Sequence, residues 1–201
     1  MNIIVNESQD IIRLRVPFEE LYTSVFLVRA EGGLMLVDCA TTAEDVDEYI
    51  VPSILKLGYR LSEVRTIVIT HHHSDHDGGL ERILELVPNI RVIDGISELA
   101  PMIKAVPLPG HTTHCIGLLD ERCGTLISGD GLQGAGVGKY RCLVQDKAMY
   151  LDTLRRLKSD ERIKKILFSH AYEPWYKDSA CGREEILYAL DECAKYIGEK
   201  L

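Results

Sequence analysis

Four histidines and two aspartates lie within residues 70–79, directly behind an apolar, β-branched run at residues 66–69. A buried strand that ends in such side chains delivers them to one point at the edge of a sheet. His71 and His73 are two residues apart, so an extended segment places both imidazoles on one side while His72 points away. Imidazoles and carboxylates bind divalent metal ions. The segment therefore predicts a metal site, and a polar surface loop that happens to hold histidines is the alternative.

Asp75 and His76 diverge from the first two histidines as the chain turns at two glycines, Gly78 and Gly79, into a helix predicted over residues 80–86. One short loop can then present two imidazoles to one ion, and a carboxylate with an imidazole to a second. This His-x-His-x-Asp-His pattern resembles the metallo-β-lactamase superfamily, a large set of mostly dinuclear metal hydrolases.

Several predicted strands and helices precede and follow this segment. Alternating apolar residues predict an antiparallel meander of three strands at residues 12–15, 22–28 and 34–37. Helical spacing over residues 43–57 predicts a helix that Pro52 kinks or restarts. A strand at residues 66–70 and the helix at 80–86 form a β-α unit, followed by a short strand at 91–93. Residues 97–102 are expected to form a loop or a helical turn.

The second half of the chain repeats the arrangement of strands followed by polar residues. Residues 115–119 and 125–128 are predicted to form a hairpin, and residues 163–168 a buried strand. An amphipathic helix is predicted over residues 146–157. Its expected apolar face consists of Met149, Leu151, Leu154 and Leu157. A last amphipathic helix is predicted at residues 184–197.

Three further candidate ligands follow turns or strands in this half. His111 lies in a Pro-Gly-His-Thr turn, Asp130 lies between two glycines behind the hairpin, and His170 ends the buried strand. Taken alone, His111 would be an exposed loop residue and Asp130 a turn residue. Both segments resemble the metal-binding motifs of the superfamily, with Asp130 in the place of the bridging aspartate and Ser169 replacing the usual glycine before His170.

Two other residues have less certain roles. Asp38 resembles the aspartate that supports the metal loop in this superfamily, although a turn former or helix cap is the simpler interpretation. Here Cys39 and Ala40 stand where the superfamily usually has Thr and Gly. His114 occupies a usual glycine position, and we interpret it as a surface or pocket-lining histidine, although an unusual backbone conformation is conceivable there.

The resemblance implies an α+β fold, a four-layer αβ/βα sandwich, formed by one domain over residues 1–201. It also implies two divalent ions, zinc foremost, with iron or manganese open. The expected ligands are His71, His73 and His111 for one ion, Asp75, His76 and His170 for the other, and Asp130 between them. A hydroxide held between the ions, oriented by the catalytic residue Asp75, would attack an activated carbonyl.

Among the superfamily branches, residues 70–79 and 129–131 look most like glyoxalase II, the hydroxyacylglutathione hydrolase. We expect its glutathione-binding helical domain to be missing, which favours a small thioester or a lactone as substrate. One alternative is an iron-dependent persulfide dioxygenase with a mononuclear site of His71, His111 and Asp130. The other is a non-catalytic metal-binding scaffold.

Composition narrows the class of partner. The 201 residues carry a formal net charge of -8 and a pI near 5.4, which argues against a nucleic-acid surface. No apolar run approaches a membrane span, and six cysteines without a Cys-x-x-Cys pair indicate the cytoplasm. The glycine-rich loop at residues 131–141, with Lys139, Tyr140 and Arg141, either binds an anionic substrate group or carries solvated charges. The sequence leaves the oligomeric state undetermined.

Overall fold

Twelve β-strands in the described residues form two mixed sheets of six strands each. The computed structural model describes residues 2–132, 144–171 and 177–201. The chain divides into two compact units, Met1–Asp94 and Gly95–Leu201, and each unit contains one sheet. A single domain over residues 1–201 remains a prediction.

The sheet of the first unit follows chain order, β1 to β6. Its strands are β1 (Ile4–Asn6), β2 (Ile11–Phe18), β3 (Leu21–Ala30), β4 (Gly33–Val37), β5 (Val64–Val68) and β6 (Arg91–Ile93). The first four pair antiparallel as a meander, as predicted, whereas β4, β5 and β6 are parallel. Parallel neighbours require long crossover connections, and these hold the helices of the unit.

Four short helices lie in those crossovers: α1 (Ala43–Asp45), α2 (Val51–Lys56), α3 (Ser74–Asp77) and α4 (Leu80–Leu86). The bounds of α4 match the prediction. The even-numbered side chains of β2 form the core of this unit with apolar residues of the first crossover. The buried core includes Ile12, Leu14, Val16, Val46, Ile50 and Ile54.

The predicted helix at residues 43–57 is interrupted by a π-helical segment, Val46–Ile50, between α1 and α2. Pro52 lies two residues beyond this segment, and proline has no N–H to donate to the carbonyl four residues earlier. The N–H of Val51 instead bonds to the carbonyl oxygen of Val46, five residues back. Thr42 begins α1 with a capping box, in which its hydroxyl accepts from Asp45 N–H.

The sheet of the second unit runs from β12 to β7 in order. Its strands are β7 (Ser97–Ala100), β8 (Ile103–Pro107), β9 (Ile116–Asp120), β10 (Thr125–Ile127), β11 (Lys165–Leu167) and β12 (Ser179–Cys181). Only β10 and β11 are parallel among these pairs, and the predicted hairpin is formed by β9 and β10. The predicted loop or helical turn at residues 97–102 is wrong, because β7 pairs with β8. Only Pro101 and Met102 form the turn between these strands, and Met102 has a φ of 66°.

Two long helices pack on this second sheet, α5 (Lys147–Ser159) and α6 (Gly182–Tyr196). The predicted apolar face of α5 is partly wrong, because Met149 is 43% exposed. The buried residues are Tyr150, Thr153, Leu154 and Leu157, with Leu151 beside them. Thr153 satisfies its buried hydroxyl by donating to the carbonyl of Pro109, 2.8 Å away, so a polar residue belongs to this face.

One prediction about the substrate cannot be compared with the structure, because Lys139, Tyr140 and Arg141 lie outside the described residues. In the described part of the chain, every helix is too short or too polar to cross a bilayer.

Candidate metal centre

The ligands of the first unit follow the carboxyl ends of the two parallel strands β4 and β5. Val37 pairs with Val68, and the N–H of Asp38 donates to the Val68 carbonyl at 2.9 Å, so both strands end at the same edge of the sheet. Asp38 follows β4 directly, and His71 lies three residues beyond β5. The sequence therefore brings a carboxylate and the histidine-rich segment together through strand register alone.

Asp38 is fully buried and accepts three hydrogen bonds. Its Oδ1 accepts from Thr70 N–H at 2.8 Å, and its Oδ2 accepts from the Thr70 hydroxyl at 2.9 Å and from His76 Nδ1 at 2.8 Å. These bonds link β4 to the segment that holds the candidate ligands. Asp38 thus has the supporting position that the resemblance implied.

The same bonds set the tautomers of two histidines. A carboxylate only accepts, so His76 carries its proton on Nδ1 and presents a lone pair on Nε2. The Thr70 hydroxyl gives its proton to Asp38, which leaves its oxygen to accept from His71 Nδ1 at 3.1 Å. His71 likewise presents a lone pair on Nε2. Both imidazoles are in the form that binds a metal ion.

Distances between the candidate ligand atoms fit a metal. His71 Nε2 lies 3.1 Å from His73 Nδ1, and His76 Nε2 lies 3.4 Å from Asp75 Oδ2. Tetrahedral zinc with bonds of about 2.0–2.1 Å separates its ligand atoms by about 3.3–3.4 Å. His71 and His76 are adjacent, with ring centroids 4.1 Å apart. His72 points away as predicted, with a side chain 59% exposed and Nδ1 2.9 Å from Asp77.

Gly78 and Gly79 form the predicted turn, between α3 and α4. Their φ values of -61° and -84° are open to any residue, so the turn itself does not require glycine. A Cβ on Gly78 would overlap the carbonyl of Thr41, and one on Gly79 the carbonyl of Cys39. The two glycines therefore allow the loop after β4 to approach α3 closely, and α3 itself was not predicted.

The ligands of the second unit also follow two parallel strands. Ile127 pairs with Leu167, and Ser128 N–H donates to the Leu167 carbonyl at 3.0 Å. Asp130 and His170 each lie three residues beyond their strands, so the parallel register brings them side by side. His170 Nε2 is 3.3 Å from Asp130 Oδ1, and both residues are buried.

His111 lies on the other side of the same carboxylate. Its Nε2 is 3.9 Å from Asp130 Oδ2, so Asp130 directs one oxygen toward each imidazole. Gly110, with φ of 140°, lets the loop pass close to Tyr150 of α5. Gln145 N–H donates to the His111 carbonyl at 3.3 Å. The loop before α5 thus fixes the position of His111.

The comparison with protein families agrees with this ligand pattern. The sequence model of the metallo-beta-lactamase superfamily matches residues 19–95, which include the strands and the histidine-rich segment of the first unit. Curated relatives extend the similarity across most of the chain. Residues 19–95 therefore match the metallo-β-lactamase superfamily, and the chain as a whole is similar to proteins named hydroxyacylglutathione hydrolase.

Two relatives illustrate this similarity. The hydroxyacylglutathione hydrolase of Prochlorococcus marinus is 29% identical over 188 residues, covering 83% of this chain and 71% of the relative. The atrochrysone carboxyl ACP thioesterase of Aspergillus aculeatus is 26% identical over 156 residues, covering 68% of this chain. The alignment covers 47% of that thioesterase, so the chain spans only part of each relative. The predicted similarity to glyoxalase II is confirmed.

A solved structure of a metallo-beta-lactamase from Erythrobacter litoralis, with β-mercaptoethanol in its active site, shares the fold. The TM-score is 0.70 at 18% identity, and the match covers 96% of both chains. The predicted α+β sandwich of the metallo-β-lactamase type, with its αβ/βα layers, is confirmed by this likeness.

Three other positions near the candidate ligands complete the comparison with the sequence. His114 is exposed, as the surface interpretation required, and it is not among the described non-glycine residues with positive φ. Thr70 was overlooked, although a hydroxyl at a strand end beside His71 is a signal for such a link. Cys39 is fully buried, and burial, together with the charge of Asp38, raises the pKa of its thiol well above the usual value.

Proposed function

We propose that this protein is a metal-dependent hydrolase of the metallo-β-lactamase superfamily that attacks the activated carbonyl of a small thioester or a lactone. Its similarity to a named hydrolase and a named thioesterase supports hydrolysis of thioesters. The two units would act as one catalytic domain over residues 1–201. The substrate would be a small molecule, without a nucleic-acid or membrane partner, and the protein would work in the cytoplasm.

The proposed centre holds two divalent ions. One would be bound by three imidazoles, those of His71, His73 and His111, and the other by Asp75, His76 and His170, with Asp130 between them. The observation that carries this proposal is the arrangement of Asp130, which directs different oxygens toward His111 and His170. A carboxylate that served a single ion would have no need of a second imidazole on its other oxygen.

Zinc is the ion we propose, because nitrogen-rich sets of ligand atoms separated by 3.1 to 3.4 Å suit its tetrahedral geometry. When bound, such ions act as Lewis acids and lower the pKa of a bound water to about 7. Two divalent ions with two carboxylates and neutral imidazoles leave a formal charge of about +2 for the developing oxyanion.

The residues of the site would then divide the remaining work. Asp75 is the least buried carboxylate of the set, with 15% of its side chain exposed, and it would orient the attacking water. Asp38 and Thr70 would hold the imidazoles of His71 and His76 in their binding tautomers. Because the site supplies its own attacking water, it needs no serine or cysteine nucleophile.

Elemental analysis of protein purified without chelator tests the proposal. We expect two ions per chain, with zinc predominating. One iron per chain would instead favour the dioxygenase, and iron or manganese in pairs would change the metal but keep the hydrolase. Protein that binds no divalent ion, even on titration, would overturn the proposed centre.

The role of Asp75 is tested by steady-state hydrolysis of a panel of small thioesters, lactones and a glutathione thioester. Asp75→Asn should lower kcat by roughly 10²–10⁴-fold with little change in KM, because it removes an interaction made mainly in the transition state. Asp77→Asn, on the same helix, is the matched control, since Asp77 pairs with the exposed His72. If Asp75→Asn keeps both ions and the parent kcat, Asp75 does not orient the water.

A further inference from the structure

The carbonyl oxygen of His76 accepts two hydrogen bonds from one residue. Cys39 donates its N–H at 2.8 Å and its thiol at 3.2 Å. The other end of His76, its imidazole, donates to Asp38. Two adjacent residues of the loop after β4 therefore hold both the main chain and the side chain of a proposed ligand.

Helix α3 depends on contacts with neighbouring elements, because it is a single turn. Ser74–Asp77 has only four residues, and an isolated helix of that length is unstable in water. The carbonyls of its last turn have no partner within the helix. Cys39 supplies the partner for His76, and the Thr23 hydroxyl supplies one for the Asp75 carbonyl at 3.1 Å. The positions of Asp75 and His76 thus depend on neighbouring elements.

His71 and His73 are held in another way. Both continue the extended path beyond β5, and His71 is fixed by the hydroxyl of Thr70. The hydrogen bond of the Cys39 thiol is to the His76 carbonyl, on α3. A change at the thiol should therefore displace one pair of ligands and leave the other in place.

We propose that Cys39 is a positioning residue: its thiol fixes the carbonyl of His76 and thereby sets the affinity of the metal position formed with Asp75 and His76. This inference rests on the proposed function, since it requires two distinct metal positions. A hydroxyl at the same place can donate the same hydrogen bond.

The test compares metal affinities of the parent, Cys39→Ala and Cys39→Ser by titration against a competing chelator. Cys39→Ala should weaken the binding of one zinc ion by about 10- to 100-fold and leave the affinity for the other unchanged. Substitutions of residues that orient metal ligands have effects of this size. Cys39→Ser should restore most of the lost affinity. Cys193→Ala is the matched control, because it removes a fully buried thiol from the core of the second unit.

Several results would overturn the proposal. Unchanged affinity for both ions in Cys39→Ala would do so, as would an equal loss at both positions or a failure of Cys39→Ser to recover. If Cys39→Ala does not fold, Cys39→Thr takes its place beside Cys39→Val, which has the same shape without a donor. A parent protein that binds one ion refutes the dinuclear centre itself, whereas a parent with two ions and an unaffected Cys39→Ala refutes only the role of Cys39.

Discussion

The Asp38→Asn substitution would change the hydrogen-bond network of the proposed centre without changing a proposed metal ligand. The amide keeps one oxygen, which can still accept from Thr70 N–H. Its NH₂ group would face the Thr70 hydroxyl and His76 Nδ1, which both donate to the present carboxylate. His76 could bond to this amide only by moving its proton to Nε2, the atom that we propose binds a metal.

The size of the effect follows from the number of bonds lost. Hydrogen bonds to a charged group contribute about 1.5–3 kcal/mol each, so the two lost bonds are worth about 3–6 kcal/mol. Removing a buried charge offsets part of this loss, because a desolvated carboxylate is itself unfavourable. We expect metal-free Asp38→Asn to be about 3 kcal/mol less stable than the parent, and the ion at His76 to bind at least about 10- to 100-fold more weakly.

Urea unfolding of metal-free protein measures the first quantity. With a slope of about 2–3 kcal/mol per molar, the midpoint should fall by about 1 M. Elemental analysis after dialysis measures the second. Asp77→Asn serves as the control, since Asp77 pairs with a histidine that is 59% exposed. If Asp38→Asn keeps the parent midpoint and both ions, or if Asp77→Asn is equally damaging, the network does not hold the ligands.

Three further predictions concern the framework, all measured by urea unfolding. Leu154→Ala should destabilise the protein by about 2–5 kcal/mol, whereas Met149→Ala, at an exposed position, should change stability by less than about 0.5 kcal/mol. Hydrogen bonds from Arg162 lower the pKa of Asp160, so this pair stabilises the protein above the unfolded pKa of about 4 and loses its effect as pH falls through the folded pKa. Asp160→Asn should therefore destabilise by less than about 1 kcal/mol at pH 7, and by progressively less as the pH falls through the folded pKa of Asp160. Gly79→Ala should destabilise by about 1–3 kcal/mol, because its Cβ would overlap a backbone carbonyl.

The candidate ligands could be recognised in the sequence because they follow buried strands. Runs of apolar, β-branched residues that stop at a histidine or an aspartate identify both the strand and its end. Such runs precede His71, Asp130 and His170. Parallel register then brings the strand ends together without further information, as the contact between Asp130 and His170 illustrates.

Prediction failed where packing decides between local alternatives. The helical period of α5 allowed two overlapping apolar faces, and the buried one includes Thr153 because the Pro109 carbonyl accepts its hydroxyl. Strand β7 exists because β8 lies beside it, and its own residues have little strand propensity. The glycines at 78 and 79 correctly predicted a turn, but the close approach of a neighbouring loop, which is what requires glycine there, could not be predicted.

Sequence propensity did not predict the backbone conformation of the loop after β4. Asp38 and Ala40 both have φ of 61°, although neither is a glycine. For alanine this conformation costs roughly 1–2 kcal/mol. It persists because the surroundings fix it: Asp38 N–H bonds to the Val68 carbonyl, and the Ala40 carbonyl accepts from Gly79 N–H at 3.3 Å. The strained segment is also the one from which the Asp38 carboxylate reaches Thr70 and His76, so the strain is maintained where it orients the proposed ligands.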